Sequence, residues 1–265
     1  MSDRRRRDGP SGGRGREGAS GRRRRDGPSG EVLYGRNPVR EALAAGRRAV
    51  GPVWATAPAA REPWLAGAEV IVEDAPALTA RAGTAAHQGL CALAAPYPYA
   101  DAGGLLAPPD ALVVVLDEVQ DPQNLGAICR SAECAGATGL VLPTRRTAEV
   151  TPAVAKASAG AVEHLAVARV RNLADWLGEA KEAGAWCYGA AAEADLPYDA
   201  PDFRGRVVLV LGAEGRGLRP RVATGCDALL ALPLRGRIAS LNVSAAAAVL
   251  LYEILQRRQA VDSAS

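Results

Sequence analysis

LDEVQDPQNLGAICRSAECAGATGLVL, residues 116–142, reads as the end of one strand, a turn, a helix and a second strand. The apolar run Leu112–Leu116 stops at Asp117. Asp121-Pro122 then opens a helix over Pro122–Ala135. A carboxylate there can accept the free amides of a first turn, and proline fits the first helical position without losing a hydrogen bond. Gly139–Leu142 resumes the apolar pattern of a strand. Strand–helix alternation of this kind predicts a parallel sheet covered on both faces.

The alternation continues toward the C-terminus. Strands are expected at Leu165–Val170, Trp186–Gly189, Val207–Leu211 and Leu229–Leu232, and helices at Pro152–Glu163, Leu173–Ala183 and Val243–Arg258. On the N-terminal side, APYPYADAGGLLAPPD (95–110) holds four Pro and two Gly and reads as a linker. Ahead of it, 31–95 reads as a small α/β domain. Asn37-Pro38 is expected to open its first helix and Gly46 to close it. Strands at Val50–Ala55, Glu69–Val72 and Gly89–Ala94 and a helix at Ala75–Arg81 complete it. The expected organisation is a tail at 1–30, a small domain at 31–95, a linker at 96–110 and a larger domain at 111–260.

Hydrophobic residues make up 48% of the 265 and aromatics 4%, so a sizeable core must be built from Ala, Val and Leu. The net charge of +3 is unevenly spread. Residues 1–30 hold ten Arg against four acids, a surplus of six, which leaves the rest of the chain at −3. RRRRDGPSG occurs at 4–12 and again at 22–30. Such a segment buries too little apolar surface to fold and is expected to be disordered. It reads either as a solubilising leader or as a nonspecific RNA-binding arm. The five cysteines form no CxxC pair and no metal-ligand spacing with His87 or His164, so no metal is expected. Their odd number and the charged N-terminus predict reduced thiols in the cytoplasm. No apolar run is long enough for a membrane span. Cys129 and Cys134 read as helix packing residues, and the two histidines as structural ones.

Two further segments carry chemistry. VVLVLGAEGRGL (207–218) runs from a strand into three glycines spaced GxxGxG. That spacing suits a nucleotide-like ligand approaching the backbone, or an ordinary strand-to-helix turn. LPLRGRIASLNVSAAAAVLLYE (232–253) leads from a loop into an Ala-rich helix that Ser240 or Asn242 can cap. In the first segment, Asn124 and Arg130 lie six residues apart, about 120° around a helix, so both could face one cavity.

In order and spacing these segments resemble the three signature motifs of the SpoU (TrmH-like) RNA 2′-O-ribose methyltransferases. Asn124, Gly126 and Arg130 match the first, Gly212, Glu214, Gly215 and Gly217 the second, and Pro233 and Gly236 through Ser244 the third. YGRNPVREAL (34–43) and HQGL (87–90) resemble the substrate-binding domain of the RlmB-like subgroup, whose fold is similar to a ribosomal protein. The resemblance implies an α/β trefoil-knotted domain, with S-adenosyl-L-methionine held against Gly212, Leu232 and Leu241. It implies a homodimer whose active sites use the interface. Arg130 takes the catalytic position, where a guanidinium stabilises the attacking 2′-oxygen and the adjacent phosphate. Asn124 and Ser240 would orient substrate or Arg130, and Glu214 and Asn242 would hold the loops. The implied substrate is a guanosine of 23S rRNA. The alternatives are a tRNA 2′-O-methyltransferase, an antibiotic-resistance rRNA methyltransferase, and a non-catalytic RNA-binding assembly factor.

Overall fold

The computed structural model describes residues 30–262. The Arg-rich tail expected at 1–30 lies outside them, apart from Gly30. The first part of the chain runs β1 (Glu31–Tyr34), α1 (Arg36–Ala45), β2 (Val50–Ala55), β3 (Val70–Val72), α2 (Ala75–Ala82) and β4 (Leu90–Ala94). Its four strands form a sheet in the order β1-β4-β2-β3, with only β2 and β3 parallel.

The second part holds β5 (Leu112–Asp117), α3 (Pro122–Cys134), β6 (Gly139–Pro143), α4 (Pro152–Ala157), β7 (Ala166–Val170), α5 (Leu173–Glu182) and β8 (Trp186–Ala190). It continues through β9 (Leu196–Pro197), β10 (Val207–Gly212), α6 (Pro220–Gly225), β11 (Ala228–Ala231) and α7 (Val243–Asp262). Its seven strands run parallel in the order β7-β6-β5-β10-β8-β11-β9.

Alternation along the strands explains both covered faces. Leu112, Val114 and Leu116 of β5 join Leu209 and Leu211 of β10 against α3 and α7. Val113 and Val115 join Val208 and Val210 against Trp176 and Leu177 of α5 and Val222 of α6. Each such buried aliphatic side chain contributes roughly 1.5–3 kcal/mol.

The strand order places the site. After β5 the chain steps outward through β6 and β7, then crosses back to lay β8 on the other side. β10 fills the place between β5 and β8. Loops leave the carboxyl ends of β5 and β10 in opposite directions, which opens a crevice at that edge.

Two local expectations need correction. Asn37 does not cap α1, which begins at Arg36 with Gly35 as its cap residue and no side-chain cap bond. Gly35, at φ 98°, turns the chain directly out of β1, a strand the sequence reading missed, so Asn37-Pro38 falls inside the first turn. The helix expected over Pro152–Glu163 stops at Ala157. Ala159 and Gly160 take left-handed conformations, and a 3₁₀ turn over Ala161–Glu163 follows. The short β9 and α6 were also unread.

The two parts meet along α1, α4 and the 3₁₀ turn. Arg48 donates from Nε to Glu163 at 3.0 Å and pairs with it again through Nη2, both side chains being buried. Arg48 also donates to the Ala95 carbonyl at 2.9 Å. Arg47 and Tyr97 both donate to the Leu165 carbonyl at 2.6 Å. Residues 95–110 lie against the larger sheet. Ala100 bridges to Ala168, and Leu105 and Leu106 are buried.

Candidate active site

At the carboxyl edge of the parallel sheet, the three motifs meet. Asn124 sits in the first turn of α3, placed there by the Asp121 cap, whose carboxylate accepts the Gln123 amide at 2.9 Å. Glu214 lies in the turn after β10, and Asn242 immediately precedes α7. Asn242 donates from Nδ2 to Asn124 Oδ1 at 2.9 Å and also to Glu214. Asn124 donates to Glu214 Oε1 at 3.3 Å, and the Val243 amide donates to the same oxygen at 3.4 Å. One carboxylate thus gathers donors from two other segments, so that three separated stretches of chain meet at it. The Oδ1 of Asn242 accepts the Ser244 and Ala245 amides, which makes it the cap of α7. One side chain thus caps α7 and ties the stretches carrying Asn124 and Glu214 to it. Ser240 does not act as the cap.

Beside this cluster is a cleft of about 310 Å³ lined by Leu211, Gly212, Glu214, Leu232, Ser240 and Leu241. Gly212 is required by its own chain rather than by a ligand. A Cβ there would lie 2.1 Å from the backbone of Gly217, because the turn folds back through an Ala213–Gly217 bridge. Gly215 and Gly217 take φ values of 75° and 65°, and a Cβ at either would meet open space.

Residues 232–241 make no backbone–backbone hydrogen bond among the described residues, so Leu232 and Leu241 bring amides and carbonyls without backbone partners to the cleft. Apolar walls, free backbone groups and a crowded glycine turn fit a flat heterocycle carrying a polar edge. This is the donor set that an adenosyl group such as that of S-adenosylmethionine requires, with Gly212, Leu232 and Leu241 as the residues that would hold it.

Arg130 is not brought into this group within the chain. It is about 1.7 turns beyond Asn124, about 9 Å along α3. It is exposed and makes no hydrogen bond or ion pair among the described residues.

The sequence reading also missed a second pin. Asp117, the last residue of β5, pairs in register with Gly212. Its buried carboxylate accepts the Arg219 amide at 2.8 Å and the Arg219 Nε at 2.7 Å. This fixes the far end of the glycine turn. Nothing local announces the pair, since the two residues are 102 positions apart. The only signal was a charged residue closing an otherwise apolar strand.

Neither histidine lies in the cleft. His87 is buried beside Thr79, and His164 pairs with Glu41 at 2.9 Å. Burial pushes the Cys129 thiol up to about 12, whereas Cys134 is exposed on the same helix. Among the described residues there is no metal-ligating cluster and no helix long and apolar enough to cross a membrane.

Comparison with known proteins gives the same arrangement a lineage. The SpoU rRNA Methylase family matches residues 111–252, and the RNA 2′-O ribose methyltransferase substrate-binding family matches residues 32–100. A TrmH family tRNA/rRNA methyltransferase of Staphylococcus haemolyticus (strain JCSC1435) is 36% identical over 247 residues, covering 87% of this chain and 97% of its own. YacO of Bacillus subtilis (strain 168), named for the same family, is 43% identical over 183 residues, 67% of this chain and 74% of its own. Among solved structures, the SpoU methyltransferase AviRb from Streptomyces viridochromogenes, in complex with AdoMet, superposes with a TM-score of 0.74. Its identity is 26%, over 86% of this chain and 90% of AviRb. With the three motifs gathered at one sheet edge and the family match spanning more than half of the chain, the protein belongs to the SpoU family of RNA methyltransferases.

Proposed function

We propose that the protein transfers a methyl group from S-adenosyl-L-methionine to a ribose 2′-hydroxyl of RNA, with a guanosine of 23S rRNA as its target. The observation that carries this reading is the Asn124–Glu214–Asn242 cluster standing over the Leu232–Leu241 cleft. The front sheet, by its substrate-binding likeness over 32–100, supports RNA as the substrate. It supports a division into an RNA-binding domain at 31–95 and a methyltransferase domain at 111–260. The glycine turn facing the 232–241 segment supports the trefoil threading that the resemblance implies.

The cofactor supplies an electrophilic methyl on a positively charged sulfur, so the chain's task is alignment and charge stabilisation. Asn124 and Ser240 orient the ribose, and Glu214 and Asn242 hold the loops in place. Arg130 faces solvent in the isolated chain, and Val249 and Tyr252 expose 44% and 51% of their surface on α7 beside α3. Both facts favour a homodimer in which Arg130 serves the partner's cleft, stabilising the attacking oxygen and the neighbouring phosphate.

Ribose-methylation mapping of rRNA from cells with and without the protein tests the reading. One 23S guanosine should lose its 2′-O-methyl group when the protein is absent. Unchanged rRNA with a lost tRNA mark would overturn the target, and purified protein that methylates no RNA would overturn the activity.

A further inference from the structure

We propose that a second, arginine-lined cleft on the same sheet edge holds phosphates of the RNA strand that flank the methylated nucleotide. The inference rests on the RNA methyltransferase reading and adds the path of the strand.

The cleft has a volume of about 830 Å³ and lies over the carboxyl ends of β5, β6 and β7. The adenosyl-type cleft lies over β8, β10 and β11. The two are neighbours across the β5–β10 crevice. Arg219 joins them, since it lines the second cleft and anchors the glycine turn of the first.

Five guanidinium groups reach the second cleft, from Arg145, Arg146, Arg171, Arg219 and Arg221. Three are partly engaged. Arg219 pairs with Asp117 and Glu118, Arg221 with Asp175, and Arg146 with Glu118 at 3.5 Å. Arg145 and Arg171 are exposed and make no hydrogen bond or ion pair among the described residues. The acids Glu118 and Asp175 are thus taken up, and Glu179 leaves the lining with an excess of positive charge.

Two details mark the cleft as built. The indole N–H of Trp176, in its wall, is buried without an acceptor. Glu118 and Arg146, on facing loops, are both held at left-handed φ, 62° and 58°. Non-glycine residues keep such conformations where the surroundings impose them, and they concentrate at binding sites.

Open, multiply charged and beside a site for ribose chemistry, this surface suits a phosphodiester chain better than a single small anion. Planar guanidiniums with free donor pairs match phosphate oxygens. Contacts of this kind set register on the strand without reading its sequence.

The test uses the full chain, an unmodified 23S rRNA transcript and a titration of salt. Arg145→Ala/Arg171→Ala should lower the slope of log affinity against log salt by about 1 for each arginine removed. Arg145→Lys/Arg171→Lys should keep most of the slope. Calorimetric affinity for S-adenosylmethionine should be that of the wild type in both. A wild-type slope and affinity in the Ala pair would overturn the proposal. So would a loss of cofactor affinity with the slope intact. Should the wild type methylate no RNA while the slope still falls, the enzymatic reading fails and the cleft stands. Should the wild type methylate RNA while the Ala pair keeps the full slope, the cleft fails and the enzymatic reading stands.

Discussion

Asn242 does two jobs with two ends of one amide. Its oxygen caps α7 through the Ser244 and Ala245 amides, while its nitrogen ties Asn124 to Glu214. Asn242→Asp separates them. Aspartate caps a helix as well as asparagine does, so the helix terminus keeps its roughly 1 kcal/mol. The new carboxylate, however, faces Glu214 where a donor stood. Thermal melting should show a small change, while single-turnover methyl transfer should fall by at least tenfold; a wild-type rate would reduce Asn242 to a cap. If Arg130 serves the partner's cleft as proposed, Arg130→Ala should lower the transfer rate on the order of 10²–10³ and leave cofactor affinity unchanged, because its charge would act on an oxyanion that appears only during reaction. Calorimetry beside a single-turnover assay checks both halves. Asn124, Glu214 and Asn242 were legible in the sequence because each stands at an element boundary inside a spaced motif. Asp117 and Arg219 were not, because their pairing is created by the β5–β10 ladder and leaves no mark on either neighbourhood.

At the scale of elements, α3 shows why pattern alone misjudges a residue. Gly126 lies inside a helix, where alanine would be preferred by about 1 kcal/mol. Its missing Cβ is filled by α4: an added methyl would lie 2.4 Å from the Ala157 Cβ and 2.9 Å from the Ser158 amide nitrogen. Overpacking of this kind costs about 1–3 kcal/mol, so the steric term outweighs the propensity. Gly126→Ala should therefore lower the urea midpoint of unfolding; a raised midpoint would show that α3 and α4 can move apart freely. The central strands β5 and β10 of the larger sheet were readable to within a residue because they are unbroken Val and Leu runs. The end of α4 was missed although Gly160, like Gly46, is a stop signal: Ala159 and Gly160 are left-handed, and a Cβ at Gly160 would crowd Glu41 and the Asn37 carbonyl.

At the scale of the whole molecule, the front sheet is bolted to the parallel sheet rather than strung beside it. Arg48 and Glu163 are both buried, and although Arg48 also reaches Glu31 at 3.4 Å, removing Arg48 leaves the Glu163 charge without a partner among the described residues. That loss is worth about 3–5 kcal/mol, whereas replacing both with apolar side chains of similar volume is often neutral. Arg48→Met should thus lower the melting temperature and split calorimetric unfolding into two transitions. Arg48→Met/Glu163→Met should restore much of the loss. A single unshifted transition in the first variant would mean that the two sheets are coupled elsewhere. The linker reading of 95–110 rested on Pro and Gly content, which cannot show that Ala100 bridges to Ala168. The gathering of three distant motifs has a consequence for synthesis on the ribosome. Asn124 and Asn242 are 118 residues apart and meet in the same cluster. At about 5–20 residues per second, the first motif waits on the order of 6–24 s before the third has been translated. Through that interval the nascent chain owns no complete centre, so methyl transfer cannot begin before residue 242 has been made.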